Sequence, residues 1–174
     1  MLKAQSPDLP HKTEAGVIHL NLKSAAAVGT AYDAILTRIA AQSPAPRLDG
    51  VVVQKMVPEG VEVIVGGRVD ALFGPLVVVG LGGILVEVLN DTALALAPIG
   101  PDEAEALLRE LRAFRLLQGY RGLPEVDLAR LYEIVCRASE FIADQRQLVS
   151  EFDLNPLICT GDDITAVDAL VDRR

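Results

Sequence analysis

The chain is short of almost every residue that marks a special chemistry or compartment. Of its 174 residues none is tryptophan, four are phenylalanine and three tyrosine, so aromatics make up 4% against a hydrophobic total of 51%. A core drawn from this stock is one of Val, Leu, Ala and Ile. Only two cysteines occur, Cys136 in a helical pattern and Cys159 after a strand, with no metal-ligand spacing between them. They read as packing residues in a reducing compartment. Positive charge is scarce too: 16 Lys+Arg against 24 Asp+Glu leave a net charge of −8. That balance argues against a nucleic-acid partner, since a phosphate backbone calls for clustered cations. It leaves a nucleotide open, because a metal held by carboxylates can bridge nucleotide phosphates. No internal repeat and no low-complexity tail is present. Met1-Leu2-Lys3 leads straight into polar, proline-containing sequence rather than a secretory leader, so a cytoplasmic protein is expected.

One hydrophobic run is long. Leu72 to Leu89 is almost uninterrupted apolar sequence, near the ~18 residues of a membrane span. It contains Gly74, Pro75, Gly80, Gly82, Gly83 and Glu87, however, and its Val77-Val78-Val79 and Ile84-Leu85-Val86 runs are short and β-branched. Two buried strands joined at Gly80-Leu81-Gly82-Gly83 are predicted, and no membrane partner.

A chain of this length forms one domain or two small lobes with a real core. Val17 to Leu22 reads as a strand, and Ser24 caps a helix over Ala25–Ala41 with Ala27, Ala31, Ala34, Ile35 and Ile39 as its apolar stripe. Beyond the Ser43-Pro44-Ala45-Pro46 link, Gly50–Val57 and Val61–Val65 read as a hairpin across Pro58-Glu59-Gly60. Gly66 to Asp70 reads as a further turn. Helical periodicity runs from Pro101 to about Leu117 and from Pro124 to about Ala143, interrupted by Gly119-Tyr120-Arg121-Gly122. The fold class is therefore α/β (α+β), with a mixed, mainly antiparallel sheet flanked by helices.

The candidate chemistry concentrates near the end. In Glu151-Phe152-Asp153-Leu154-Asn155 the side chains alternate, so Glu151, Asp153 and Asn155 share one face. Gly161-Asp162-Asp163 marks a turn, from which Ile164–Leu170 runs back antiparallel and brings Asp168 beside Asn155. Three oxygen-bearing groups on one face suit a hard cation such as Mg²⁺. They also suit an edge strand with a solvated face, and the segment alone leaves both readings open. Elsewhere, Lys3 can reach a phosphate as a point charge, and His11 lies in a loop where an imidazole can act as general base or accept a phosphoryl group. Glu62 faces either solvent or a ribose hydroxyl. Gln54 to Val57, including Met56, offers backbone to an adenine edge. Arg68 and Arg121, in glycine-flanked turns, are phosphate clamps or surface charges. The glycines at 80–83 serve a tight turn or a ligand.

Taken in order, Lys3-Ala4-Gln5-Ser6-Pro7-Asp8-Leu9-Pro10-His11-Lys12-Thr13-Glu14-Ala15-Gly16, Phe73-Gly74-Pro75, Gly80-Leu81-Gly82-Gly83, Gly119-Tyr120-Arg121-Gly122 and Glu151-Phe152-Asp153-Leu154-Asn155-Pro156-Leu157 resemble the ATP-grasp domain of NDP-forming acyl-CoA synthetases. The ending also resembles the ATP-binding subunit of succinyl-CoA ligase. The resemblance implies an ATP-grasp fold with a partial lid subdomain over 1–57 and a C-terminal subdomain over 58–174, shortened at its N-terminus. It implies an ADP-forming acid–thiol ligase activity that uses ATP or ADP and Mg²⁺. Lys3 would contact nucleotide phosphates, and Gln54, Met56 and Val57 would meet adenine. Asn155 and Asp168 would hold the metal with Asp153 as their neighbour, and Glu62, read above as facing solvent or ribose, would line the same cleft. His11 would relay phosphoryl groups to a second phosphohistidine on CoA-binding and ligase domains, which the chain lacks. Val17 departs from the family, which carries a second glycine there. Exposed strand edges where the missing section packs favour a homo-oligomer. A non-catalytic interaction module of the same fold, and a succinyl-CoA-ligase-like subunit, are the competing readings.

Overall fold

The computed structural model describes residues 1–9, 15–83, 91–161 and 163–174, and the chain divides into two compact units, Met1–Met56 and Val57–Arg174. In the first unit, β1 (Leu2–Gln5) lies between β2 (Ile18–His19) and β3 (Gly50–Val53), antiparallel to both. Helix α1 (Ala25–Ala40) starts at Ser24, whose Oγ accepts the Ala27 N–H at 3.1 Å and satisfies one of the orphan donors of the first turn. Its stripe is narrower than predicted. Ala31, Ile35 and Ile39 are buried with Leu2, Ala4, Leu9 and Val17, while Ala27 is half-buried and Ala34 exposed.

The second unit holds β4 (Val61–Asp70), β5 (Gly74–Leu81), β6 (Thr92–Leu96), β7 (Val149–Cys159), β8 (Ile164–Ala166) and β9 (Ala169–Arg173). The strand order is β6-β5-β4-β7-β8, β9 also pairs with β7, and every described pairing is antiparallel. Helices α2 (Pro101–Arg109) and α3 (Leu128–Asp144) supply Leu107, Leu108, Leu131, Val135 and Ile142 to a core completed by Val63, Val65, Val77, Val79 and Phe152 of the sheet. Each such side chain contributes on the order of 1.5–3 kcal/mol on full burial. The mainly antiparallel α+β architecture predicted from the sequence is the one observed. Among the described residues no helix is long and apolar enough to cross a membrane.

Several local expectations are corrected. Gly50–Val53 pairs with β1 rather than forming a hairpin with β4, which lies between β5 and β7. Residues 66–70 are not a turn: β4 runs unbroken through Gly66 and Gly67, and the reversal comes at 71–73. The glycines mark close approach instead. A Cβ on Gly67 would stand 2.4 Å from Phe152 Cε1 and 3.0 Å from Ile142 Cβ, so a bare backbone is what lets the Phe152 ring lie across β4. Helix α2 ends at Arg109 and only a 3-10 turn, Phe114–Leu117, follows. The buried Asp91 carboxylate accepts the N–H groups of Arg112 and Ala113, each at 2.8 Å, and so removes two donors from the helical ladder. The predicted strand at 84–86 lies outside the described residues.

Two glycine substitutions separate packing from propensity. Gly67→Ala forces a methyl into the Phe152–Ile142 contact and lowers unfolding stability by roughly 1–3 kcal/mol. Gly29→Ala, in α1 with nothing within 4 Å of its Cβ, raises it by about 0.5–1 kcal/mol. Denaturant titration of the two variants checks both signs, and a neutral Gly67→Ala would contradict the packing assignment.

Candidate functional site

Strand β7 is central, with β4 on one side and β8 and β9 on the other. Between the pairs Val65–Leu154 and Val63–Leu157 the β7 strand has one residue more than β4, which places a β-bulge at Asn155-Pro156. Pro156 has no N–H to give a ladder, so a bulge is where a central strand tolerates it. The extra residue resets the alternation. Phe152 is in the core before it and Leu157 and Cys159 after it, while Asn155 is turned out to solvent. On the other side, Leu154 faces Ala169 and Leu157 faces Ala166 in one continuous register, which sets Asp168 opposite Asn155. The single returning strand predicted from the sequence is in fact two, interrupted at Val167-Asp168. Val167 donates to the Pro156 carbonyl at 3.1 Å, and Asp168 Oδ1 accepts the Ala169 N–H at 3.1 Å.

Asp153 stands at the centre of this corner. Burial pushes its carboxyl above the usual carboxylate range. A hydrogen bond from the Asn155 side chain works against that, and the nearby charges of Glu151 and Asp168 add to the rise. The two carboxylates and the amide named from the sequence are therefore gathered at one place. A Cβ on Gly66, the ladder partner of Asp153, would stand 3.1 Å from the Phe152 carbonyl oxygen and 3.7 Å from Asp153 Oδ1. Among the described residues no three of His, Cys, Asp and Glu are grouped to hold a metal. The donor set is two carboxylates and one amide, an incomplete shell of hard oxygens. Such a shell fits Mg²⁺, which keeps waters and phosphate oxygens, and does not fit a closed zinc site.

Glu62, in β4, is half-buried and pairs with Ile158 of β7. Its carbonyl accepts the Gly82 N–H at 2.7 Å, and a Cβ on Gly83 would stand 3.3 Å from Glu62 Oε2. A Cβ on Gly80 would meet Thr92 Cγ2 at 3.0 Å. A Cβ on Gly82 would meet Glu62 Cβ at 2.7 Å, and Gly83 has a φ of +72°, so both positions call for glycine whether or not a ligand approaches. Arg68 is exposed on β4, opposite Glu151.

In the first unit Lys3 is 8% exposed, opposite Ile18 and Val52 on the central strand. The Gln54 main chain exchanges hydrogen bonds with Met1, accepting from its amino group at 2.7 Å and donating to its carbonyl at 3.0 Å. Met56 is exposed and Val57 half-buried, at the boundary between the units. Val17, where the resemblance has a glycine, is fully buried in the first unit's core, and its carbonyl accepts the Ala4 N–H at 3.0 Å. His11 lies outside the described residues. Sequence reasoning missed the bulge, for which an Asn-Pro step inside a strand pattern is the signal.

Comparison with known proteins identifies the family. The ATP-grasp domain family matches residues 1–172. The chain is 39% identical over 157 residues to the ADP-forming acetate–CoA ligase I of Archaeoglobus fulgidus, covering 90% of this chain and 23% of that one. It is 36% identical over 169 residues to the β-subunit of the ADP-forming acetate–CoA ligase I of Pyrococcus furiosus, covering 97% of this chain and 72% of the subunit. The dinucleotide-forming acetyl-coenzyme A synthetase 1 of Ca. Korarchaeum cryptofilum, in complex with coenzyme A and Ca-AMPCP, superposes with a TM-score of 0.94 at 36% identity, covering 99% of this chain and 75% of that chain. Another complex of that synthetase holds coenzyme A and Mg-AMPPCP, with its phosphohistidine segment pointing towards the nucleotide binding site. The chain thus spans less than a quarter of the single-chain ligase and nearly three quarters of the separate β-subunit. On the family match and on that subunit alike, this chain belongs to the ATP-grasp domain family that is present in ADP-forming acetate–CoA ligases.

Proposed function

We propose that the chain is the nucleotide-binding portion of an ADP-forming acyl-CoA ligase, which joins an acid to CoA as ATP becomes ADP and phosphate. The observation that carries this reading is the gathering of Asp153, Asn155 and Asp168 at the β7 bulge. Asn155 and Asp168, with Asp153 beside them, would hold Mg²⁺, which when bound neutralises and orients nucleotide phosphate oxygens. Lys3, in the first unit, would offer a positive charge to nucleotide phosphates. Gln54, Met56 and Val57 would meet the adenine edge, and Glu62 a ribose hydroxyl. His11 takes the γ-phosphoryl group: an imidazole N–P bond forms as the bond from phosphorus to the β,γ-bridging oxygen breaks, and ADP leaves. Residues 1–57 and 58–174 then act as lid and C-terminal subdomains. CoA and the acid are handled by domains beyond this chain, carried on the same polypeptide as in the single-chain relative or on a partner subunit.

Calorimetric titration with ADP and Mg²⁺ tests the site. The native chain releases heat on binding. Asn155→Ala and Asp168→Ala each weaken the interaction by at least about tenfold, ~1.4 kcal/mol. Absence of heat at millimolar nucleotide, or undiminished binding by both variants, contradicts the assignment.

The raised pKa of Asp153 yields a second outcome. A carboxyl that holds its proton more tightly when folded than when unfolded destabilises the fold once ionised. The loss begins as pH rises past the unfolded value near ~3.9 and is complete above the folded one. Asp153→Asn therefore melts higher than the native chain at pH 7, and the gap closes below about pH 3.5. Added Mg-ADP raises the native melting temperature and leaves that of Asp153→Asn nearly unchanged. Parallel melting curves across the pH range would show that the carboxylate carries no such burden.

A further inference from the structure

The chain is acidic overall, yet residues 109–121 hold four arginines, Arg109, Arg112, Arg115 and Arg121, against the single carboxylate of Glu110. One of the four side chains is accounted for locally, and a second arginine is held by its main chain. Arg109 pairs with Glu105 at 2.7 Å and lies over the Phe114 ring, and the Arg112 main chain is fixed to Asp91. The other two converge on one aromatic ring. The Arg115 guanidinium carbon stands 5.1 Å from the Tyr120 centroid and that of Arg121 stands 5.5 Å from it. Both arginines are exposed, and among the described residues neither has a carboxylate partner. The backbone is shaped to present them. Arg121 adopts a left-handed conformation at φ 52° between Tyr120 and Gly122 (φ 88°), with Gly119 at φ 80° opening the turn. A non-glycine residue there costs on the order of 1 kcal/mol. Two like charges held beside one ring repel each other, and the ring only partly offsets this. Neither residue contributes to the core, so the packing of the unit does not explain the arrangement.

We infer that Arg115, Tyr120 and Arg121, with the exposed Leu123 beside them, form a docking surface for a carboxylate-rich segment of the polypeptide that completes the ligase. This inference rests on the proposed function for the existence of that polypeptide. Charge complementarity selects an acidic segment, because a guanidinium pair held ready on an aromatic face accepts carboxylates with little loss of side-chain freedom. The composition is that of an interface centre, where Tyr and Arg are enriched, rather than of a solvated rim. The metal corner is a separate place. Gly161, close to Glu125 and so to this loop, lies beyond the end of β7, whose four residue steps from Asn155 to Cys159 span roughly 13 Å.

The test uses hexaglutamate peptide as the probe, followed by amide chemical shifts of the whole chain at fixed ionic strength. The expected result is a set of shift changes centred on residues 115–123. The apparent Kd rises at least tenfold in Arg115→Gln/Arg121→Gln and several-fold in Tyr120→Ala, while Arg47→Gln in the first unit has no effect. Circular dichroism and Mg-ADP binding remain native in each, and Asn155→Ala still binds the peptide, so failure here is distinguishable from failure of the nucleotide site. If the double variant does not fold, Arg115→Gln alone is read and still weakens binding. Shift changes spread evenly over surface cations, or an unchanged Kd in the variants, overturn the proposal. So does displacement of the peptide by equimolar inorganic phosphate, which would mark a phosphate site instead.

Discussion

The β-bulge at Asn155-Pro156 is the constraint from which the rest of the site follows. A strand of eleven residues threaded through the middle of a sheet must keep one face apolar along its whole length. With strict alternation from Phe152, β7 would put Leu154 and Pro156 in the core and turn Leu157 outward. One extra residue corrects the phase, so Phe152 and Leu157 are both buried, and the polar residues between them are gathered on the opposite side. On its other edge β7 keeps one register past β8 and β9, and this sets Asp168 against Asn155. The bulge thus keeps the core face apolar and Asn155 outward, and the unbroken register on the other edge brings Asp168 to it.

Electrostatics explain why such a corner has a ligand's character. Asp153 is partly buried with Glu151 and Asp168 close by, and only an amide hydrogen bond relieves it. Carboxylates are rarely assembled in this way for stability, because each adds repulsion and loses hydration. A site that costs stability when empty and is relieved by a divalent cation is a common arrangement in functional centres.

Much of this was legible in the sequence. The alternation of Glu151, Asp153 and Asn155, the Gly161 turn and the return through Asp168 identified the corner because period-two patterning and turn chemistry are local properties. The Ser24 cap and the Ile35–Ile39 stripe of α1 were readable for the same reason. What failed was non-local. Gly66-Gly67 reads as a turn in isolation, and only the Phe152 ring crossing β4 reveals it as strand. Helical periodicity continued past Arg109, but a carboxylate eighteen residues upstream of it takes the N–H groups the helix needed. Strand β6 escaped because it turns Ala93 and Ala95 inward and leaves Leu94 and Leu96 about 60% exposed, the reverse of the usual size pattern.

The most direct test of the central claim is paramagnetic. Mn²⁺ with ADP, added in substoichiometric amounts, broadens amide signals within a short radius of the bound ion. The account predicts that broadening in the second unit is strongest at 153–155 and 168 and fades along β7 in both directions. Broadening centred elsewhere while ADP still binds, or none at all, would contradict it.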